Sequence, residues 1–182
     1  MAGPDPERAA KTKALRDKVY EKQGGDRLVA WMEYNRYVHE DSDYHEWLKI
    51  CTPYLELLSW STDDPKHPKV VLRYTVQPDN CNDSGNLHGG CTASLFDLCT
   101  SLPLTLVNKP GFWFHLGVSV TLNCSYLRPI PSGTKILIEC ELLSIGKTLS
   151  TLRGVMKRES DGAVLTSCEH GKYNSDLQMS KL

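Results

Sequence analysis

The sequence predicts an α+β fold in which an antiparallel sheet wraps around one central helix, with a helical extension ahead of it. Three observations lead there. Residues 1–50 carry helical patterning, residues from 54 onward alternate apolar and polar as strands do, and one long apolar segment, 89–102, interrupts that alternation. A sheet of this length has an apolar face that must be covered, and the single apolar helix is the obvious cover.

Two helices are expected in the extension. PERAAKTKALRDKVYEK is polar with a thin apolar stripe, and DRLVAWMEYNRYVHED places Leu28, Trp31, Met32 and Tyr34 or Asn35 near helical spacing. Gly24-Gly25 separates them, and a third short helix is expected over Tyr44 to Ile50. The extension reads as a cap over the sheet or a partner, with a lid or docking arm as the alternative. Leu55, Leu57 and Leu58 then lead to a turn at Asp63-Asp64-Pro65, and Val70 to Val76 forms a strand, followed by a polar loop, Gln77 to Asn86. In the apolar helix Leu95, Leu98 and Leu102 share a face, Ala93 permits close packing, and Pro103 ends or kinks the helix.

After an aromatic loop, Phe112-Trp113-Phe114, the alternation resumes. Leu116, Val118, Val120, Leu122, Cys124 and Tyr126 lie on one face, as do Ile136, Ile138, Cys140 and Leu142 of the next strand. Lys147 to Arg158 and Ala163 to Tyr173 complete four strands, with turns at Ser144-Ile145-Gly146 and Asp161-Gly162. The organisation is an extension, 1–50, a sheet-and-helix domain, 51–175, and a tail, 176–182.

Composition narrows the function classes. With 182 residues, 40% hydrophobic and 24% charged, the chain suits one packed domain plus an extension. A net charge of -1 argues against a broad nucleic-acid-binding face and leaves room only for a local basic patch toward a phosphorylated ligand. Seven cysteines without a CxxC pair read as free thiols in a reducing compartment. Cys81, His88 and Cys91 fit no zinc spacing, so no metal is expected. No apolar run approaches the roughly 20 residues that span a bilayer, and MAGPDPERAAKTK resembles neither a secretory signal nor a transit peptide. Ser180-Lys181-Leu182 is the tripeptide read by the peroxisomal import receptor, so a peroxisomal location is expected, with the cytoplasm as the alternative.

The chemistry concentrates in Asn82-Asp83-Ser84-Gly85-Asn86-Leu87-His88-Gly89-Gly90 and in Asp97 on the helix that follows. Gly89 and Gly90 sit at a helix start, where backbone N–H groups lack intrahelical partners and no side chain obstructs a ligand. Such amides at the positive end of a helix dipole form a natural oxyanion hole, and His88 stands beside them. Asp97 lies among Leu95, Phe96 and Leu98. It either faces solvent or is a buried acid whose pKa burial would raise toward that of a usable base. The residues Gly117, Ser119, Thr121, Asn123 and Ser125 alternate with the apolar ones, as a polar surface or as the lining of a wet pocket in which Ser119 positions water. Spacing decides one point. His88 and Asp97 are about 13 Å apart along the helix axis, too far to act on one carbonyl, so a shared site requires a second, antiparallel copy of the helix. A two-fold dimer supplies it.

At these residues the chain resembles the hotdog-fold acyl-CoA thioesterases of the PaaI and thioesterase-superfamily-member type. The resemblance rests on NxxGxLHGG with Asp97 nine residues after the His, on Gly117-Val118-Ser119-Val120, on Asn123 with Tyr126, and on Gly146-Lys147-Thr148. It implies a hotdog fold and hydrolysis of acyl-CoA to free acid and coenzyme A by a homodimer or homotetramer, with no cofactor beyond the coenzyme A of the substrate. Asn82 and His88 would hold the thioester carbonyl, and the Gly89 amide would stabilise the oxyanion. Asp97 of the opposing subunit would activate water or attack directly, with Ser119 assisting. Coenzyme A contacts would fall at Thr121, Tyr126, Arg128 and Pro129, and at Ser144, Gly146, Lys147 and Thr148. Arg128 and Lys147 are cations suited to phosphates, although single surface cations are common. The long extension, the GFWF loop and Pro103 depart from compact members of the family and leave the acyl pocket open. The alternatives are a non-catalytic acyl-CoA-binding module and a thioesterase acting on a carrier-bound polyketide.

Overall fold

The computed structural model describes residues 5–41 and 45–176. The Ser180-Lys181-Leu182 tripeptide and Tyr44 lie outside the described residues. Asp5 caps the first helix, α1 (Pro6–Glu21), by accepting from the Glu7 amide at 3.0 Å, with Pro6 at its first position. The second, α2 (Gly24–His39), lies against it through Lys18–Glu33 at 2.6 Å, and Arg8 reaches Asp41 just beyond α2 at 2.7 Å.

The glycine pair does not separate the helices as expected. The chain turns at Lys22 and Gln23, both extended, and α2 opens at Gly24. Gly25 is small for a packing reason: a Cβ there would stand 2.3 Å from the Trp60 indole nitrogen. The helix expected over Tyr44 to Ile50 is also corrected, to a single 3-10 turn at Trp47–Ile50 followed by another at Thr52–Tyr54.

Six strands follow: β1 (Leu55–Ser61), β2 (Lys69–Thr75), β3 (Val118–Tyr126), β4 (Lys135–Ile145), β5 (Leu149–Arg158) and β6 (Val164–Tyr173). They form one antiparallel sheet in the order β1-β2-β4-β5-β6-β3, so β1 and β3 are the edges. The central helix, α3 (Gly89–Ser101), packs on one face. Its buried stripe is Thr92, Leu95, Phe96, Cys99 and Thr100, continued by Leu102, and it meets Leu72, Ile138, Met156 and Cys168. Leu98, expected in that stripe, is only half-buried, because the 3.6-residue period carries Phe96 and Cys99 inward instead. Pro103 does not kink the helix; α3 stops at Ser101 and tightens into a 3-10 turn, Leu102–Leu106. Leu28 of α2 belongs to the same core, so the extension is packed onto the domain.

The expected alternation in β3 fails at one residue. The register with β6 shifts between Ser119 and Thr121, which makes Val120 a β-bulge. Leu122 and Cys124 pair with the inward residues His170 and Cys168, while across the bulge Ser119 pairs with the inward Lys172. Ser119 thus joins the helix-facing side, and Thr121, Asn123 and Ser125 face away. Val118, Val120 and Tyr126, expected on the covered face, are more than half exposed along an unpaired edge.

A second, smaller core gathers Trp113 with Leu104, Leu142 and Leu152. Gly117 opens β3 at φ +63°, where a Cβ would meet the Tyr173 carbonyl oxygen at 2.3 Å. Arg27 of α2 reaches this region, donating to the Phe114 carbonyl at 2.8 Å with its guanidinium 4.1 Å from the Phe114 ring. All seven cysteines are free thiols.

The helix presses onto the sheet at Gly154 of β5, where a Cβ would lie 2.6 Å from Phe96 and 2.7 Å from the Thr100 methyl. Replacing Gly154 by Ala therefore overpacks the centre of the domain and should cost about 1–3 kcal/mol. Urea unfolding should show the midpoint lowered at an unchanged slope.

Candidate active site

The N-terminus of α3 is held by the loop before it. The His88 amide donates to the Asn80 carbonyl at 2.9 Å, and buried Asn80 accepts the Tyr74 hydroxyl on its side chain. His88 is the N-cap: its Nδ1 accepts from the Gly90 amide at 3.0 Å, so in the neutral ring the proton is on Nε2. Gly90 is thereby satisfied, whereas the Gly89 N–H has no acceptor among the described residues. The Gly89 carbonyl is fixed by the Tyr126 hydroxyl at 2.9 Å.

A cleft of about 450 Å³ opens beside this amide, lined by Asn82, Gly89, Tyr126, Arg128 and Pro129 among others. The Asn82 side-chain oxygen, Oδ1, accepts from the Ser84 and Asn86 amides, which leaves its NH2 group as the end free to meet a ligand. Arg128 donates to the Val164 carbonyl and presents an exposed cation. The structure therefore brings together Asn82 and Gly89 with the expected coenzyme A contacts Tyr126, Arg128 and Pro129, while His88 caps the helix next to Gly89 without lining the cleft. One free helix-terminal N–H, an amide donor and a cation suit a carbonyl oxygen and a phosphorylated tail.

Asp97 is elsewhere. Two turns along α3, its Oδ1 accepts from the Ser119 hydroxyl at 2.5 Å, and His170 Nε2 stands 2.9 Å from Ser119 Oγ and 3.4 Å from Asp97. Lys172 donates to Ser101 Oγ at 2.8 Å, and that hydroxyl donates to the Asp97 carbonyl. Burial pushes His170 down to about 4; Lys172 adds to this and Asp97 opposes it. Burial also lowers Lys172, again against the pull of Asp97. Asp97 itself is not the buried acid weighed above, since its side chain is 48% exposed within one chain.

His170, Lys172, Thr100 and Ser101 escaped the sequence reading. Their signal was present in the last strand, where Thr166, Cys168, His170 and Lys172 alternate into the core. Polar groups repeated at inward positions of a strand demand partners.

Several expected residues do not converge within one chain. Gly89 and Asp97 are separated by two turns of the helix, about 12 Å. Thr121 faces away from α3. Ser144, Gly146, Lys147 and Thr148 lie at the β4–β5 turn, near the Val118 end of β3, because Leu149 pairs with Tyr173 and Tyr173 with Val118. The cleft is at the Tyr126 end, about 25 Å away along the strand. The turn is braced: the carbonyls of Gly146, Lys147 and Thr148 accept from the Trp113 indole, the Asn174 side chain and the Asn174 amide. Among the described residues no group of three or more His, Cys, Asp and Glu side chains is placed to hold a metal ion.

Comparison with known proteins places this geometry. Residues 84–165 match the family model of the thioesterase superfamily. Human acyl-coenzyme A thioesterase 13 is 30% identical over 105 residues, covering 58% of this chain and 72% of that protein. The crystal structure of zebrafish thioesterase superfamily member 2 superposes with a TM-score of 0.67 at 26% identity, over 81% of this chain and 97% of that one. A hypothetical thioesterase from Streptococcus pneumoniae, solved with coenzyme A, shares the fold at 20% identity and a TM-score of 0.55, over 65% of this chain and 84% of that one. The hotdog arrangement of sheet and central helix is common to them.

His170 supplies a stability signature. Its folded pKa lies near 4, below the ordinary 6.5, so the unfolded chain binds the extra proton first as pH falls. Stability present above pH 6.5 should decline between there and about pH 4, by up to about 3 kcal/mol. Chemical unfolding across that window should show a shallower decline in His170→Gln than in the natural chain.

Proposed function

Since the chain belongs to the thioesterase superfamily, we propose that it hydrolyses acyl-CoA to a free acid and coenzyme A, with each site completed by two copies. One observation carries the reading: a thioester hydrolase needs an oxyanion trap and an activated water together, and this chain holds them about 12 Å apart, two turns along one rigid helix. Edge strand β3 supports the remedy. It is nine residues long, unpaired on its outer side and apolar at Val118, Val120 and Tyr126. An exposed edge of this kind is a template for pairing. Two such edges joined antiparallel about a two-fold axis set the Val118 end of each beside the Tyr126 end of the other. The Asp97–Ser119 pair and the braced turn of one copy then meet the Gly89 cleft of the other. A homodimer is the minimal unit, and a homotetramer is two such dimers.

In this reaction the thioester oxygen accepts from the Gly89 N–H and the Asn82 NH2, with His88 Nε2–H beside them and the helix dipole behind them. The partner subunit's Asp97, with Ser119 placing the water, takes a proton from it. The electron pair left on oxygen forms the C–O bond. Collapse of the tetrahedral intermediate breaks the C–S bond, and the sulfur leaves with the proton. A thioester carbonyl has little resonance stabilisation, so this chemistry calls on no cofactor. Arg128, Tyr126 and Pro129, with the partner turn of Ser144, Gly146, Lys147 and Thr148, receive the nucleotide phosphates and pantetheine arm. Thr121, on the outer face, is not in this cleft.

A thiol-release assay over a panel of acyl-CoAs tests the activity; binding without free thiol would instead make the chain an acyl-CoA-binding module. Asp97→Ala should abolish turnover while binding survives. Mixing inactive Asp97→Ala and His88→Ala chains should recover about a quarter of wild-type activity, since half of the dimers are mixed and each holds one intact site of two. No recovery despite demonstrated subunit exchange would count against a shared site.

A further inference from the structure

We propose that Thr100 is a positioning residue for hydrolysis: it holds His170 as the tautomer protonated at Nδ1, keeping the Nε2 lone pair open to accept a hydrogen bond from Ser119 once Asp97 has taken a proton from water. The inference rests on the reading of Asp97 as the group that activates water.

Four polar contacts run in a line. The Phe96 carbonyl lies 2.5 Å from Thr100 Oγ1, which lies 2.6 Å from His170 Nδ1. His170 Nε2 is 2.9 Å from Ser119 Oγ, which is 2.5 Å from Asp97 Oδ1. Each contact needs one proton to be a hydrogen bond. Thr100, Ser119 and a neutral imidazole supply one each, so with Asp97 ionised the line is one proton short. Distance identifies the unfilled contact. Two oxygens held 2.5 Å apart without a proton repel strongly, so the Thr100 proton belongs to the Phe96 carbonyl and the Ser119 proton to Asp97. Thr100 Oγ1 can then only accept from His170, which puts the ring proton on Nδ1. The longest of the four, from Nε2 to Ser119, is left as two facing lone pairs, with Asp97 Oδ1 a further 3.4 Å neighbour of the same nitrogen, too distant to be a hydrogen bond in the line.

The arrangement is buried and therefore enforced. Thr100 and His170 are both fully buried, so no water competes for either ring nitrogen at the protein surface. Lys172, whose charge acts on His170, donates to Ser101 Oγ at 2.8 Å. Burial keeps the imidazole neutral near pH 7. When Asp97 takes a proton from water, it can donate to Ser119 while Ser119 donates to His170, and all four contacts are filled. The line returns to its starting state when the proton leaves with the coenzyme A thiol, and nothing is oxidised or reduced.

Thr100→Val removes the hydroxyl at nearly constant shape, and Thr100→Ser keeps it. Nitrogen-15 spectra of the histidine rings, with the His170 signals assigned by their loss in His170→Asn, report the tautomer directly. The natural chain should show Nδ1 protonated and Nε2 bare. Thr100→Val should shift that population and lower kcat about tenfold at unchanged KM, and Thr100→Ser should restore both. Protonation at Nε2 in the natural chain, or wild-type kcat in Thr100→Val, overturns the proposal. If no acyl-CoA is hydrolysed, the proposed function falls, and the spectra alone still decide whether Thr100 sets the tautomer.

Discussion

The seating of α3 on the sheet governs the rest of this molecule. Phe96 and Thr100 press onto Gly154, where β5 offers no side chain, and this close approach gives one face of the helix wholly to the core. The remaining face carries Gly90, Ser94, Asp97 and Ser101 at helical spacing. The same seating leaves the Gly89 amide in a cleft and sets Asp97 over β3 and β6, where Ser119 and His170 meet it. Thr100 serves both purposes, with its methyl against the sheet and its hydroxyl on His170.

Much of this was legible from residue order alone. The helix at Gly89, its N-terminal chemistry and the succession of four later strands follow from local patterning, and local patterning is what a sequence displays most directly. The side of β3 on which each residue falls was not legible. Strict alternation would have kept Ser119 with Thr121 and Asn123, and the extra residue at Val120 moves it to the other side. A bulge depends on the partner strand as much as on its own residues, so no window of β3 announces it.

His170 and Lys172 were missed for a related reason. Each is unremarked within CEHGKY, and their meaning appears only when Ser119 and Ser101, distant in the chain, are brought opposite them. The glycine pair misled in the opposite direction. Gly-Gly is ordinarily punctuation, yet here Gly25 makes room for Trp60, a contact between residues 35 positions apart in the chain. Local rules succeeded where one element sets its own geometry and failed where two elements set it jointly.

The GFWF loop, the segment that departs most from a compact domain, has a consequence for affinity. Trp113 fills the small core and, with Asn174, ties down the backbone carbonyls of Gly146, Lys147 and Thr148. A loose hairpin tip would have to surrender its own freedom on meeting a ligand, at roughly 0.5–1.5 kcal/mol for each mobile side chain. Here the backbone is ordered when the chain folds, so the ligand contact proposed at this turn would draw little of its energy into setting that backbone.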